Sequence, residues 1–406
     1  MTQNKLIHIL GGGKWQVPTV RLAKSLGYRV LVTDIYAERP AYALADFHEV
    51  IDITDREATL AVARRHQIDG ILCDTTDVGV PTAAYVADRL GLPGIGYETA
   101  LNCTNKGRMR QLTDQAGLTV PRYRLISNES ELNDVSAELG YPLIVKPVDN
   151  QSGRGVSKVF DRNGLDMAYI QANSFSRSGN VIIETCVQGT EIIVDGFIVN
   201  NDLQILGVAE KIPYEDSETV SSRIHYSDRF SLTDFQCIQN TTRSVMSALS
   251  LNNGVFHAEF IIHGNDVIPI DIAARGGGCM IYSHVIPHVS GVDVNRAMIK
   301  MAMGEPVKIE PLAIPKAANI EFMRMPTGIL SDIIGVEAAV AIPGVAAVHF
   351  NLNAGDHIGP LEHKDHRPGY VVALADTTEE VIEISLRAKS LITVKIVGND
   401  NPFAIE

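Results

Sequence analysis

The chain is poor in the features that would give it a ready label. Its five cysteines, Cys73, Cys103, Cys186, Cys237 and Cys279, are scattered over 406 residues. They form no CxxC pair and no zinc spacing, and their odd number fits a reducing cytoplasm. No apolar run approaches the roughly 18 residues of a helical membrane span. The residues before Gly11 are too few for a secretory signal and carry no cleavage pattern. Runs of Lys and Arg are missing. The net charge of −13 argues against nucleic acid as a bulk electrostatic partner, while leaving room for a local basic pocket. Internal repeats and low-complexity tracts are absent, as is a Ser or Cys nucleophile arranged with a base. The length leads us to expect two or three domains, and these absences favour a cytoplasmic protein with neither nucleic acid nor membrane as partner.

What is present alternates strand and helix patterns. A short apolar strand at 6–10 runs into Gly11-Gly12-Gly13-Lys14. A helical pattern from Val17 to Leu26 follows, closed by Gly27, and a second strand ends in Asp34. The glycine loop matches neither the P-loop nor the dinucleotide fingerprint. Further strands at 49–53 and 70–73 continue the alternation, so residues 1–100 read as an open, mostly parallel sheet with its ligand side beyond the strand ends. Downstream, Lys106 and Arg110 share one helix face at i,i+4, a solvated basic face if nothing meets it. Lys146 is planted in an apolar strand over 141–147, where a lysine needs an anionic partner. The segment Gln151-Ser152-Gly153-Arg154-Gly155-Val156 has the small residues of a loop able to fold over phosphates through backbone N–H groups. Glu184 and Glu191 then bracket a turn.

Two apolar runs around His263-Gly264-Asn265-Asp266 spell a hairpin. Glu259 lies on the first arm and Asp271 on the second, so antiparallel pairing should bring the two carboxylates side by side. Like charges that close are costly unless a cation sits between them, and hard Mg²⁺ or Mn²⁺ is the natural candidate. The alternative is two edge carboxylates facing water. Arg275 and three glycines follow, and the combination suggests phosphate chemistry.

In this order, Lys106, Lys146, the Ser/Gly/Arg loop, Glu184 with Glu191, Glu259, Asp271 and Arg275 resemble the ATP-grasp superfamily, nearest its carboxylate–amine ligases of the L-amino-acid ligase type. The resemblance covers almost the whole chain. It implies an α/β and α+β multidomain architecture: an N-terminal open parallel-sheet domain over 1–100, an ATP-grasp domain over 101–310 with its nucleotide flap at about 118–183, and a C-terminal α+β part over 311–406. It implies that Lys106 and Lys146 reach the phosphates of ATP. Ser152, Gly153, Arg154 and Gly155 would form the flap. Glu184, Thr185, Cys186 and Val187 would form the adenine hinge, and Glu191 would hold the ribose. Glu259 and Asp271 would bridge two Mg²⁺ (or Mn²⁺) ions to the nucleotide, and Arg275 would steady an acyl phosphate. One departure stands out. The family usually reads Glu-x-Asn-x-Arg after the hairpin, and this chain reads Asp271-Ile272-Ala273-Ala274-Arg275. Ala273 removes an amide oxygen from the metal's shell, leaving water or a phosphate oxygen to replace it.

The expected activity is that of an ADP-forming ligase. A small carboxylate attacks the γ-phosphoryl group, and an amine then attacks the acyl phosphate. A bicarbonate-activating carboxylase and a nucleotide-binding regulatory protein without turnover are the alternatives, the second resting on Ala273. Substrate contacts are expected from Arg223 and His225 in a polar loop over 213–230, from His257 on Glu259's side of its strand, and from Gly277 and Gly278. The group His357, His363, His366 and Arg367 reads as loop surface. A homodimer through residues 1–100 is expected by analogy.

Overall fold

The computed structural model describes residues 5–151, 153–228, 231–361, 364–399 and 402–405. The N-terminal region is a four-stranded parallel sheet in the order Phe47–Val50, Arg29–Asp34, Leu6–Leu10, Gly70–Leu72. Strand Leu6–Leu10 is buried along its whole length, which explains why its run is apolar apart from His8, whose Nε2 lies 2.9 Å from Thr33 Oγ1: helices cover both faces. The loops leaving the carboxyl ends of these strands carry Gly11–Gly13, Asp34 and Asp74–Asp77, all on one edge.

A second four-stranded sheet, antiparallel, runs Tyr123–Ile126, Val181–Thr185, Leu143–Pro147, Ser157–Val159. Helices Leu132–Leu139 and Arg162–Phe175 close its core. Asp161 caps the second helix through Gly164 N–H.

The largest element is an eight-stranded antiparallel sheet. Its order is Asp266–Ala273, Gly254–His263, Thr190–Val199, Asp202–Tyr214, Ser217–Tyr226, Ala317–Phe322, Gly369–Ala375, Val345–Phe350. Its last three strands come from beyond residue 310, so the C-terminal part continues the central sheet as well as building one of its own. The remaining strands, His357–Ile358, Gly328–Ile334, Thr393–Ile396 and Phe403–Ala404, form a third four-stranded sheet.

The polar stretch expected as a loop is in fact strand Ser217–Tyr226. Arg223 and His225 project to one face and meet Glu321 and Asn319 directly across the ladder. Cross-strand pairing satisfies groups that in isolation read as solvent-facing.

Helix Val294–Ala302 ties the N-terminal sheet to the rest. Ile299, Ala302 and Met303 share a core with Ile7, Ile9, Val30 and Val32. The approach is close: a Cβ on Gly70 would lie 2.5 Å from Ala302 O. We expect Gly70→Val to push helix and sheet apart at a cost of about 1–3 kcal/mol, the usual range for overpacking. A thermal melt checks this, and an unchanged midpoint would contradict the packing described.

Candidate active site

The N-terminal, flap and central sheets face one cavity of about 1620 Å³. Its centre is the hairpin Gly254–His263 with Asp266–Ala273, where Glu259 stands directly opposite Asp271. A plain two-residue hairpin would not do this. The register from His263↔Asp266 to Phe260↔Pro269, continued, puts Glu259 opposite Ile270 and turns Asp271 to the other face beside Ala258. One extra residue, Ile270, interrupts the ladder between Glu259 and Phe260. This β-bulge turns two consecutive side chains, Ile270 and Asp271, toward the cavity together with His257, Glu259 and Ile261.

Cations surround the two carboxylates. Lys106 Nζ lies 2.9 Å from Asp271 Oδ2 and donates to Asn150 O at 3.1 Å. Burial works against its charge, but Asp271 outweighs burial and holds Lys106 above the ordinary lysine range. Glu259 would be raised by burial. Lys211 at 3.3 Å and Lys364 at 3.9 Å hold it well below the usual carboxylate range instead. Lys211 also pairs with Glu191.

A second charge cluster lies behind the first. Glu184 is 3 % exposed and gives one oxygen to Arg110 Nε and the other to Lys146 Nζ, both at 2.7 Å. Burial would raise the carboxyl, but the two cations bring it down to about 2. Lys146 is lowered, first by burial and then by repulsion from Arg110 and Lys106; its share of Glu184 does not compensate. One carboxylate thus serves two buried cations, and the unbalanced ammonium belongs to Lys146, which lines the cavity. An anion in the cavity is the natural complement.

Arg275 is engaged by Asp77, which accepts from Nε at 2.6 Å and Nη2 at 2.8 Å, while Nη1 donates to Gly276 O at 2.8 Å. Burial disfavours its charge, but Asp77 more than offsets that and raises it. The flap reaches the same place: Gln151 Oε1 accepts the Asp77 N–H at 2.8 Å. Gly153, Arg154 and Val156 line the cavity, as do Glu184, Thr185, Cys186, Val187 and Glu191. Gly153 and Gly155 have φ of 74° and 71°, conformations that glycine adopts without strain. Ser152 lies outside the described residues.

His257 lines the cavity with Nδ1 2.7 Å from Asp195 Oδ1, and Tyr226 OH donates to the other oxygen of that buried carboxylate. Gly278 also lines the cavity, but Gly277 packs beneath His257, where a Cβ would come within 2.9 Å of Nδ1. Arg223 and His225, expected at the substrate, do not line it. Arg223 is bound to Glu321, and His225 to Asn319. Conversely, the segment read as loop surface brings Lys364 and Arg367 into the cavity wall; His363 lies outside the described residues. Reading the sequence also missed Lys211, although it has the same signal as Lys146, a lysine within an apolar strand.

Among the described residues, no group of three His, Cys, Asp or Glu side chains could hold an ion unaided. The donor set nonetheless fits a hard cation of the magnesium type. Such ions take one or two carboxylates and fill the shell with waters and substrate phosphates, and Glu259 and Asp271 supply two carboxylates facing one cavity. Ala273 occupies the next cavity-facing position.

Comparison with known proteins agrees with this geometry. Residues 139–283 match the ATP-grasp domain family, and residues 321–397 match L-amino acid ligase C-terminal domain 2. The formate-dependent phosphoribosylglycinamide formyltransferase of Synechococcus sp. (strain CC9902) is 30% identical over 276 residues, covering 67% of this chain and 69% of the relative. Its counterpart in Saccharolobus solfataricus is 24% identical, covering 97% and 98%. Two solved structures share the fold. They are an L-amino acid ligase from Bacillus licheniformis (TM-score 0.82, 20% identity, covering 98% and 100%) and a phosphoribosylglycinamide synthetase from Anaerococcus prevotii (TM-score 0.76, 20% identity, covering 97% and 100%). With the opposed carboxylates, the buried lysines and the sheet order all in agreement, the chain belongs to the ATP-grasp superfamily and is one of its ATP-dependent carboxylate–amine ligases.

Proposed function

We propose that the cavity holds ATP with its adenine against Thr185–Val187, its ribose at Glu191 and its phosphates between Lys106 and Lys146, beneath the 151–156 loop. The observation that supports this most is the bulged hairpin, which turns Glu259 and Asp271 into the same cavity as both lysines. Glu259 and Asp271 would hold two divalent ions, whose contribution is to neutralise the β- and γ-phosphates. The substrate carboxylate approaches past Arg275, Lys364 and Arg367, three cations that line the same cavity. Its oxygen attacks the γ-phosphorus, giving an acyl phosphate and ADP. An amine then attacks the acyl carbon, an amide forms and phosphate leaves.

The protein's part is alignment and charge, as in other phosphoryl transfers. Lys146 offers an unbalanced buried ammonium to the phosphates. Arg275, fixed by Asp77 through a two-pronged ion pair, faces the charge that develops as the acyl phosphate forms and breaks. The loop anchored by Gln151 excludes water that would hydrolyse this intermediate. The curated relatives' name specifies formate as acid and a phosphoribosyl glycinamide as acceptor. In this chain the acid and amine are set by the wall of Trp15, Phe322, Tyr370, Lys364 and Arg367. Phosphate release from ATP, measured over formate, small carboxylates and paired amino acids with mass detection of the product, tests the reading. ATP hydrolysis that required bicarbonate alone would replace it with a carboxylase.

The proposed homodimer through residues 1–100 is supported by Ile35, Tyr36 and Val50, exposed at one end of adjacent strands. Sedimentation equilibrium tests it, and a monomer at every concentration would exclude it.

Arg275→Ala is expected to lower nucleotide-saturated turnover by about 10²–10³-fold, the scale of a lost transition-state donor, with ADP affinity changed far less. Equal losses in both would contradict the assigned role. A second expectation follows from Lys146. Bound phosphate supplies the anion this ammonium lacks, so binding raises its pKa and takes up a proton. ADP affinity should fall as pH rises through the lowered pKa of free Lys146, earlier than an ordinary lysine would allow. Calorimetric titration from neutral to alkaline pH checks this. Lys146→Met should weaken ADP and remove that alkaline limb, and a limb that survives in the variant belongs to another group.

A further inference from the structure

Arg110 does not line the cavity; it is 1 % exposed and is among the largest fully buried side chains. A guanidinium at such depth must be tied to acceptors throughout. Nε donates to Glu184 Oε1 at 2.7 Å, Nη1 donates to Pro269 O at 2.5 Å, and Nη2 reaches Ile270 O at 3.5 Å. The two backbone carbonyls belong to the bulge. The strand is the edge of its sheet, so alternate carbonyls point away from the ladder, and at the bulge two consecutive ones do; buried without a donor they would be costly. Arg110 supplies the donors.

The bulge is also what turns Asp271 to Glu259's face. With a regular ladder through this point, Ile272 would face the cavity and Asp271 would lie beside Ala258. One helical turn before Arg110, Lys106 pairs with Asp271 itself. Helix Lys106–Gln115 therefore grips the strand at three consecutive residues, 269 and 270 by backbone and 271 by side chain. From these contacts we infer that Arg110 is a positioning residue for the metal-binding carboxylate pair: it holds the Ile270 bulge and so keeps Asp271 opposite Glu259. The inference rests on Glu259 and Asp271 being the metal ligands of the proposed function.

Lysine is the informative replacement, because it keeps the charge beside Glu184 but cannot fork onto both carbonyls. In full-length protein, Mn²⁺ binding in the presence of the non-hydrolysable analogue AMP-PNP is followed by electron paramagnetic resonance. AMP-PNP affinity is measured separately without metal. Arg110→Lys should weaken Mn²⁺ at least tenfold while changing metal-free AMP-PNP binding less than threefold. Hydrogen exchange over the 266–273 strand should accelerate in the same variant, a readout that needs neither metal nor turnover. Arg108→Lys, on the exposed side of the helix and paired with Glu98, should match the native protein in all three measurements. Circular dichroism establishes that the lysine variant is folded; if it is not, Arg110→Gln, which retains a donor for one carbonyl, takes its place. Unchanged Mn²⁺ affinity, or an equal loss of metal and nucleotide binding, would overturn the inference. Native protein that binds AMP-PNP but no Mn²⁺ would instead refute the metal assignment beneath it.

Discussion

Two carboxylates held face to face across one antiparallel ladder set the terms for everything around them. Glu259 and Asp271 repel each other, and both face the cavity. Three lysines balance them: Lys106 on Asp271, and Lys211 and Lys364 on Glu259. These cations come from three different parts of the chain, so the charge balance exists only in the assembled fold. The cluster is cohesive without a ligand, and Glu259 is held well below the usual carboxylate range because the lysines outweigh burial. The lysines also stand where a polyanion would be received.

The architecture follows from delivering those groups to one place. The parallel sheet sends Asp77 from a strand-end loop to Arg275. The small antiparallel sheet supplies Lys146, the flap loop and the hinge after Glu184. The central sheet runs on past residue 310, bringing Phe322 and Tyr370 to the cavity, and the turn before its strand Gly369–Ala375 adds Lys364 and Arg367. The Glu184 cluster shows the same economy at a second site, where one carboxylate between two cations leaves a lysine in need of an anion.

Much of this was legible in the sequence, for local reasons. The hairpin, the lysine in the apolar strand at 141–147, the opening parallel sheet and the order of charged residues are read from patterns within a few residues. Other features depended on partners distant in the chain. Arg110 read as a solvated base because Glu184 and the bulge carbonyls lie about 75 and 160 positions away. Arg223 and His225 read as substrate contacts because Glu321 and Asn319 are about a hundred residues on. Lys364 and Arg367 read as surface because nothing local shows that their loop folds back over the site. The bulge itself was invisible: counting along a two-residue hairpin pairs Glu259 with Ile270, and only the described ladder reveals the extra residue.

The chemistry proposed for this cavity passes a substrate carboxylate through an acyl phosphate. The direct measurement uses a carboxylate substrate labelled with ¹⁸O in both oxygens and follows the label into inorganic phosphate by mass spectrometry. Attack of the carboxylate on the γ-phosphorus transfers one labelled oxygen to each phosphate released with the amide product. Phosphate carrying no label, at full amide yield, would contradict the account.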